Sequence, residues 1–253
     1  VYLHGPDDVL LVPNAANAAE VLGRLAAEAP EGVVVEDRHA EVAVLAVQGP
    51  RALQVLELLG MPGELSYMSF VTGTGAGAGE VTVCRTGYTG EHGYELLVAA
   101  EHAGELWDAL LEAGQDVGIR PCGLGARDTL RTEMGYPLHG QDLSLDITPV
   151  QARAGWAVGW KKDSFWGKDA LAKEKAEGPR RISRGLKLTG RGIPRAHCVV
   201  RSTEGEELGE VTSGTFSPTL GQGVALALML PDVAEGDTVA VDVRGRLLEA
   251  VVT

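Results

Sequence analysis

The stretch Arg85–Val98 reads RTGYTGEHGYELLV. VTVC stands directly before it and its own end, GYELLV, is again apolar, so the spacing predicts two strands joined by a glycine-rich connection. Turn chemistry accounts for the glycines. It does not account for Tyr88, Glu91, His92, Tyr94 and Glu95 in so short a segment. These residues either decorate a loop, or the hairpin holds an aromatic face and a carboxylate at fixed separation, as recognition of a flat polar heterocycle requires.

Working outward towards the amino terminus, DVLLVP reads as a strand. NAANAAEVLGRLAAEA reads as a helix with Asn14 or Asn17 as its cap and Val21, Leu22 and Leu25 on one face. GVVVEDR and EVAVLAVQ read as two further strands, and GPRALQVLELLG as a helix opened by Pro50 and closed by Gly60. This β-α-β-β-α succession starts a ferredoxin-like pattern. The alternating glycines of Gly73–Glu80 mimic a nucleotide fingerprint, but such a motif opens a helix and VTVC is a strand, so they are read as a flexible turn.

Beyond the hairpin, AEHAGELWDALLEAG is a helix with acids in its first turn, favourable to its dipole. CGLGARDTLRTEMG is a second helix, in which Arg127 and Arg131 lie four residues apart and therefore on one face. They either form surface ion pairs with Asp128 or Glu133, or clamp a carboxylate-bearing ligand. From Gly178 the character changes to short strands separated by glycine turns, which indicates a small β-barrel or sandwich. The expected division is 1–66 as a ferredoxin-like α+β domain, 67–177 as an α+β segment completing the central domains, and 178–253 as a C-terminal β-barrel.

At 253 residues and 45% hydrophobic content the chain can bury a real core. No apolar run approaches the length of about eighteen residues that a membrane span needs, and VYLHGPDD has no signal-peptide features, so a cytoplasmic protein, or a mitochondrial-matrix one in a eukaryote, is expected. Cys84, Cys122 and Cys198 are odd in number and widely spaced, which argues against a disulfide framework or zinc site. The six histidines show no metal-ligating spacing, so no metal is expected. A net charge of −13 disfavours nucleic acids and anionic membranes as partners. Yet Lys161–Arg195 holds eleven Lys and Arg against four Asp and Glu. Such a basic strip on an acidic chain is either a solvated face or a dock for an acidic partner.

Taken together, GYTGEHGYEL, PCGLGARDTLRTEMGYPLHGQDL, ITPVQARAGWAV, FWGKDAL and GEVTSGTFSPTLGQGVALAL resemble, in order and spacing, the aminomethyltransferase (T-protein) family of the glycine cleavage system. The resemblance implies α/β domains in a folate-binding cloverleaf. It also implies transfer of a one-carbon unit from the aminomethyl-dihydrolipoyl arm of H-protein to tetrahydrofolate, with release of ammonia. H-protein is then the partner to expect on the basic strip. Carried over residue by residue, Glu95 matches the glutamate that binds the pterin, Tyr88 and Trp156 match aromatic pocket residues, and Arg127 matches a folate-contacting arginine with Arg131 beside it. Asn14 matches a position next to the active site. The family's Asp-Asp-Leu-Ile-Val run sets its valine on Val1, so the aspartate that orients the reacting folate nitrogen would precede Val1. No catalytic residue is therefore assigned. The sequence reads as a portion of a longer protein or as a degenerate relative, and is expected to be inactive by itself.

Two other readings share part of this signature. One is the folate domain of a sarcosine- or dimethylglycine-oxidising enzyme or a demethylase. The other is a non-catalytic folate-binding protein, whose cysteine-bearing motif is replaced here by Phe165, Trp166 and Gly167.

Overall fold

A computed structural model describes residues 1–75 and 77–253. The turn expected over Gly73–Glu80 therefore includes one residue, Ala76, outside the described set. The chain divides into two compact units, Val1–Arg127 and Asp128–Thr253.

In the first unit β1 (Tyr2–Leu3) and β2 (Val9–Leu10) form a short antiparallel hairpin. A 3-10 turn over Ala15–Asn17 leads into α1 (Ala18–Glu28), with Asn14 capping the turn and Asn17 the helix, neither through a side-chain bond. After β3 (Val42–Gln48) comes α2 (Ala52–Leu58), then β4 (Phe70–Thr74), β5 (Glu80–Cys84), β6 (Gly93–Ala99) and α3 (Ala103–Ala113). The strands form one antiparallel sheet in the order β3-β6-β5-β4.

Alternation decides what this sheet does. Val81, Val83, Tyr94, Leu96 and Val98 point to one face and are buried against Val55 and Leu56 of α2 and Leu106 and Leu110 of α3. Each such side chain contributes about 1.5–3 kcal/mol when fully buried. Helix α2 stops because Gly60 takes φ +66, letting its N–H bond the Glu57 carbonyl and that of Met61 bond the Leu56 carbonyl. A left-handed residue closing both bonds is a glycine-dependent stop. The other sheet face carries Cys84, Glu95 and Gln48 towards one end, because Cys84 pairs with Glu95, Glu95 with Ala46, and Gly93 with Gln48.

α4 (Leu124–Glu133) spans the division between the units. In the second unit α5 (Lys168–Glu177) precedes six strands: β7 (Ile182–Leu188), β8 (Val199–Arg201), β9 (Glu207–Ser217), β10 (Gln222–Met229), β11 (Thr238–Val243) and β12 (Arg246–Val252). They close into a barrel in the order β10-β7-β12-β11-β8-β9, filled by Leu186, Leu188, Val200, Val211, Ala227, Met229, Val241 and Val252. The α+β class with a C-terminal barrel is thus the observed one.

Three expectations change. GVVVEDR is not a strand: residues 33–38 have no regular structure and Val33 and Val34 are exposed. β-propensity forms a strand only where a neighbour receives its backbone groups, and the Val33 N–H turns back to the Pro30 carbonyl instead. The boundary at 66/67 falls inside a compact unit, since β3 pairs with β6 across it. Residues 128–177 belong with the barrel because Thr129, Arg131 and Glu133 are bonded to hydroxyls of β9.

Candidate functional site

The five conspicuous side chains of the opening stretch have three fates. Tyr94 is core: it is fully buried and donates its hydroxyl to the Gly63 carbonyl at 2.6 Å. Glu91 and His92 are exposed at the turn. Tyr88 and Glu95 are half-buried, and both stand where a ligand could reach them.

Glu95 lies on the sheet face away from the apolar core, so its carboxylate is not walled in by packed aliphatic groups. The Thr86 hydroxyl donates to its Oε2. Next to it the Tyr2 phenol sits over Cys84 and Thr86; burial first, and then the Cys84 thiol, push its pKa well above the ordinary tyrosine range, with Thr86 opposing. Burial likewise pushes the Cys84 thiol up. The Tyr2 ring meets Phe70 edge-on at 5.3 Å. Glu95 therefore belongs to a polar cluster of Tyr2, Cys84 and Thr86 that keeps one carboxylate oxygen engaged.

The Arg127 guanidinium stacks over the Tyr88 ring, 4.6 Å from its centroid. Two of the expected residues are thereby brought together. A guanidinium over a phenol is worth about 0.5–1 kcal/mol at an exposed site, and among the described residues no carboxylate pairs with its N–H edge, which can therefore meet an anion.

Arg131 is a correction. It is 0% exposed, and all five of its N–H groups have acceptors: Asp128 Oδ1, Asp142 Oδ2 at 2.7 Å, the Tyr136 carbonyl, Gln141 Oε1 and Ser213 Oγ. A guanidinium with no free donor cannot also hold a folate carboxylate. Its position four residues after Arg127 puts it on the same helix face, but that face turns inward there.

Trp156 lies in the second unit on a 3-10 turn (Gly155–Ala157) and is 87% exposed. Asn14 is exposed, and among the described residues no hydrogen bond links it to Tyr88, Glu95 or Arg127. Among the described residues no group of three or more His, Cys, Asp or Glu is placed to hold a metal ion. Nor is any helix among them long and apolar enough to cross a membrane.

Residues 1–162 match the family model for the GCVT N-terminal domain, and residues 181–253 that for the glycine cleavage T-protein C-terminal barrel domain. The chain belongs to the glycine cleavage T-protein family. It is 62% identical to the aminomethyltransferase of Frankia alni over 245 residues, covering 97% of this chain and 67% of that protein. It is 56% identical to the aminomethyltransferase of Mycobacterium tuberculosis over 250 residues, covering 98% and 68%. Among solved structures it superposes on the glycine cleavage system aminomethyltransferase T from Bartonella henselae with a TM-score of 0.85 at 34% identity. That match covers 94% of this chain and 65% of the other. The chain therefore spans about two thirds of the length of these T-protein relatives.

Three residues at this candidate site escaped the sequence reading: Tyr2, Thr86 and Gln48. Thr86 could have been found by counting, since it stands two residues beyond Cys84 and so on the side of the hairpin that carries Glu95. Tyr2 and Gln48 come from distant segments and left no local signal.

Proposed function

We propose that this chain carries the folate-binding part of an aminomethyltransferase that moves a one-carbon unit from aminomethyl-dihydrolipoyl H-protein to tetrahydrofolate and releases ammonia. The observation that carries this reading is the Glu95 carboxylate, half-exposed on the sheet face away from the core and held at one oxygen by Thr86. A carboxylate in that setting can accept the amino and ring N–H edge of a pterin in paired hydrogen bonds. Tyr88 covers a ring face, and the free edge of Arg127 takes the anionic glutamyl end, which an acidic protein would otherwise repel. Asn14 in the first unit and Trp156 in the second are each retained as folate-binding candidates, supported by the family match alone; Arg131 is not.

The reaction demands positioning and a path for ammonia more than strong acid–base chemistry. No residue within 1–253 is assigned a proton-transfer role. Inactivity of these 253 residues by themselves is part of the same proposal, supported by the share of the relatives' length that they span; ammonia release from them alone would overturn it. A cytoplasmic location is supported by the bacterial relatives.

Docking of H-protein on Lys161–Arg195 is supported by charge. Among the described residues none of its eleven cations is ion-paired to a carboxylate, while Lys168 binds the Asp163 carbonyl and Lys175 lies 4.3 Å from the Trp160 ring centroid. Unchanged H-protein affinity after reversing Lys161, Lys162, Lys173 and Lys175 to Glu would remove this surface from the proposal.

The named relatives favour the aminomethyltransferase over an oxidase-linked folate domain. The test is calorimetric titration of the intact gene product with tetrahydrofolate, followed by an ammonia-release assay with aminomethylated H-protein. Saturable binding and release are expected. Binding without release would reduce the protein to a folate carrier, and absence of binding would end the reading.

A further inference from the structure

Gln48 ends β3, on the same sheet face as Glu95, and its amide is used almost completely by one loop. Its Nε2 donates to the Tyr94 carbonyl at 2.9 Å and to the Thr86 carbonyl at 3.3 Å. Its Oε1 accepts from the Thr89 hydroxyl at 3.0 Å. Tyr94, Thr86 and Thr89 lie 46, 38 and 41 residues away in sequence, and they bracket Tyr88 on both sides. The same Thr86 whose carbonyl is held by Gln48 presents its hydroxyl to Glu95.

Two glycines make room for this amide. A Cβ at Gly93 would lie 2.5 Å from Gln48 Cδ and 2.7 Å from its Nε2, and a Cβ at Gly87 would lie 2.8 Å from Cδ and against Oε1. Neither glycine has a positive φ, unlike Gly90 between them at φ +78. Backbone conformation therefore does not demand glycine at 87 or 93. The space taken by the Gln48 side chain does. The three atoms nearest to an alanine Cβ at either position all belong to the Gln48 side chain, so the substitution would evict the amide.

We propose that Gln48 is a positioning residue for the ligand: by clamping residues 86–94 it fixes the Tyr88 ring and the Glu95 carboxylate at the separation that binding needs. This rests on the reading of Glu95 and Tyr88 as tetrahydrofolate contacts. Gln48 itself touches no ligand. Its contribution is to prevent the loop from sampling arrangements in which the two groups are mismatched, which would otherwise dilute the binding-competent population.

Tetrahydrofolate affinity and thermal stability are measured together on the intact gene product. Gln48→Leu keeps the volume and removes all three bonds; it is expected to weaken tetrahydrofolate by about tenfold or more. Gly93→Ala is expected to reproduce that loss, and Gln48→Ala/Gly93→Ala to be no worse than Gln48→Ala, because the clash partner is gone. Thr89→Val should weaken binding several-fold, while Thr89→Ser keeps the hydroxyl and the parental Kd. Val83→Ala lowers Tm through a cavity on the opposite face and should leave Kd parental, which separates loop geometry from general loss of stability. Parental Kd in Gln48→Leu, or strictly additive losses in the glycine double variant, would overturn the role of Gln48. If Glu95→Ala itself bound tetrahydrofolate like the parent, the reading of the site would fall instead. Gln48 would then be judged by amide hydrogen exchange of residues 86–94, expected to quicken in Gln48→Leu; unchanged exchange would refute the clamp.

Discussion

Two clusters in this molecule combine an arginine, acidic groups and a threonine or serine hydroxyl, and they are built to opposite ends. Around Arg131 every donor is taken: the guanidinium and Asp142 are buried, and Ser213 and Thr212 use their hydroxyls on Asp142. Around Glu95 and Tyr88 the groups are half-exposed, one carboxylate oxygen is held by Thr86, and Arg127 rests on an aromatic face with no carboxylate partner among the described residues. A saturated cluster can hold the fold together but cannot meet anything new. An open one contributes little to stability and leaves positions on the Glu95 carboxylate and the Arg127 guanidinium that no hydrogen bond or ion pair among the described residues takes up. Arg127 and Arg131 are one helical turn apart, yet they fall on different sides of this distinction.

The contrast is broken most directly at Arg131. Replacing it with Met leaves Asp142 buried without its counter-charge, and a loss of about 3–5 kcal/mol in urea unfolding is expected. The double variant Arg131→Met/Asp142→Leu should recover part of it, since no lone charge then remains. A single variant within about 0.5 kcal/mol of the parent would show the network to be idle.

Glu95→Ala is the converse case. Tetrahydrofolate affinity should fall roughly a hundredfold, with the loss of charge-assisted hydrogen bonds worth about 1.5–3 kcal/mol each, while stability changes by less than about 1 kcal/mol. The reverse pattern, a large drop in Tm with unaltered binding, would move Glu95 to the structural side. For Arg127→Ala a smaller effect is expected, a weakening of about three- to tenfold with no change in Tm. Equal affinity would remove Arg127 from the site.

The smallest effect concerns pH. Tyr2 and Cys84 have folded-state pKa values raised above their ordinary 10.0 and 9.0, so the folded protein keeps these protons after the unfolded chain has lost them. Their contribution is fully present below about pH 9 and declines as pH rises above it. Urea midpoints measured from pH 8 to 10.5 should fall faster in the parent than in Tyr2→Phe or Cys84→Ala. Parallel slopes would mean that the burial over Glu95 is looser than described.

The barrel was legible because its strands alternate and end in glycine turns, both local signals. The hairpin around Glu95 was legible for the same reason. GVVVEDR was misread because propensity carries no information on whether a partner strand exists to receive the backbone. α5 went unread because KDALAKEKAE lacks an apolar stripe, and no residue of that helix is buried. Helical spacing placed Arg127 and Arg131 on one side but could not reveal that α4 meets β9 hydroxyls at one turn and not at the preceding one. Gln48 was invisible since its three partners are distant in sequence and two of its requirements are merely absent side chains.

Ring closure also distributes cooperativity unevenly. Each of β7–β12 has a neighbour on both sides, so releasing any one of them breaks two ladders at once and the six must come apart together. Among the described residues β3 and β4 have one strand neighbour each, so detaching either breaks a single ladder. Gln48 sits at the end of the first of these, so a brief detachment of that strand would also loosen the loop that it holds.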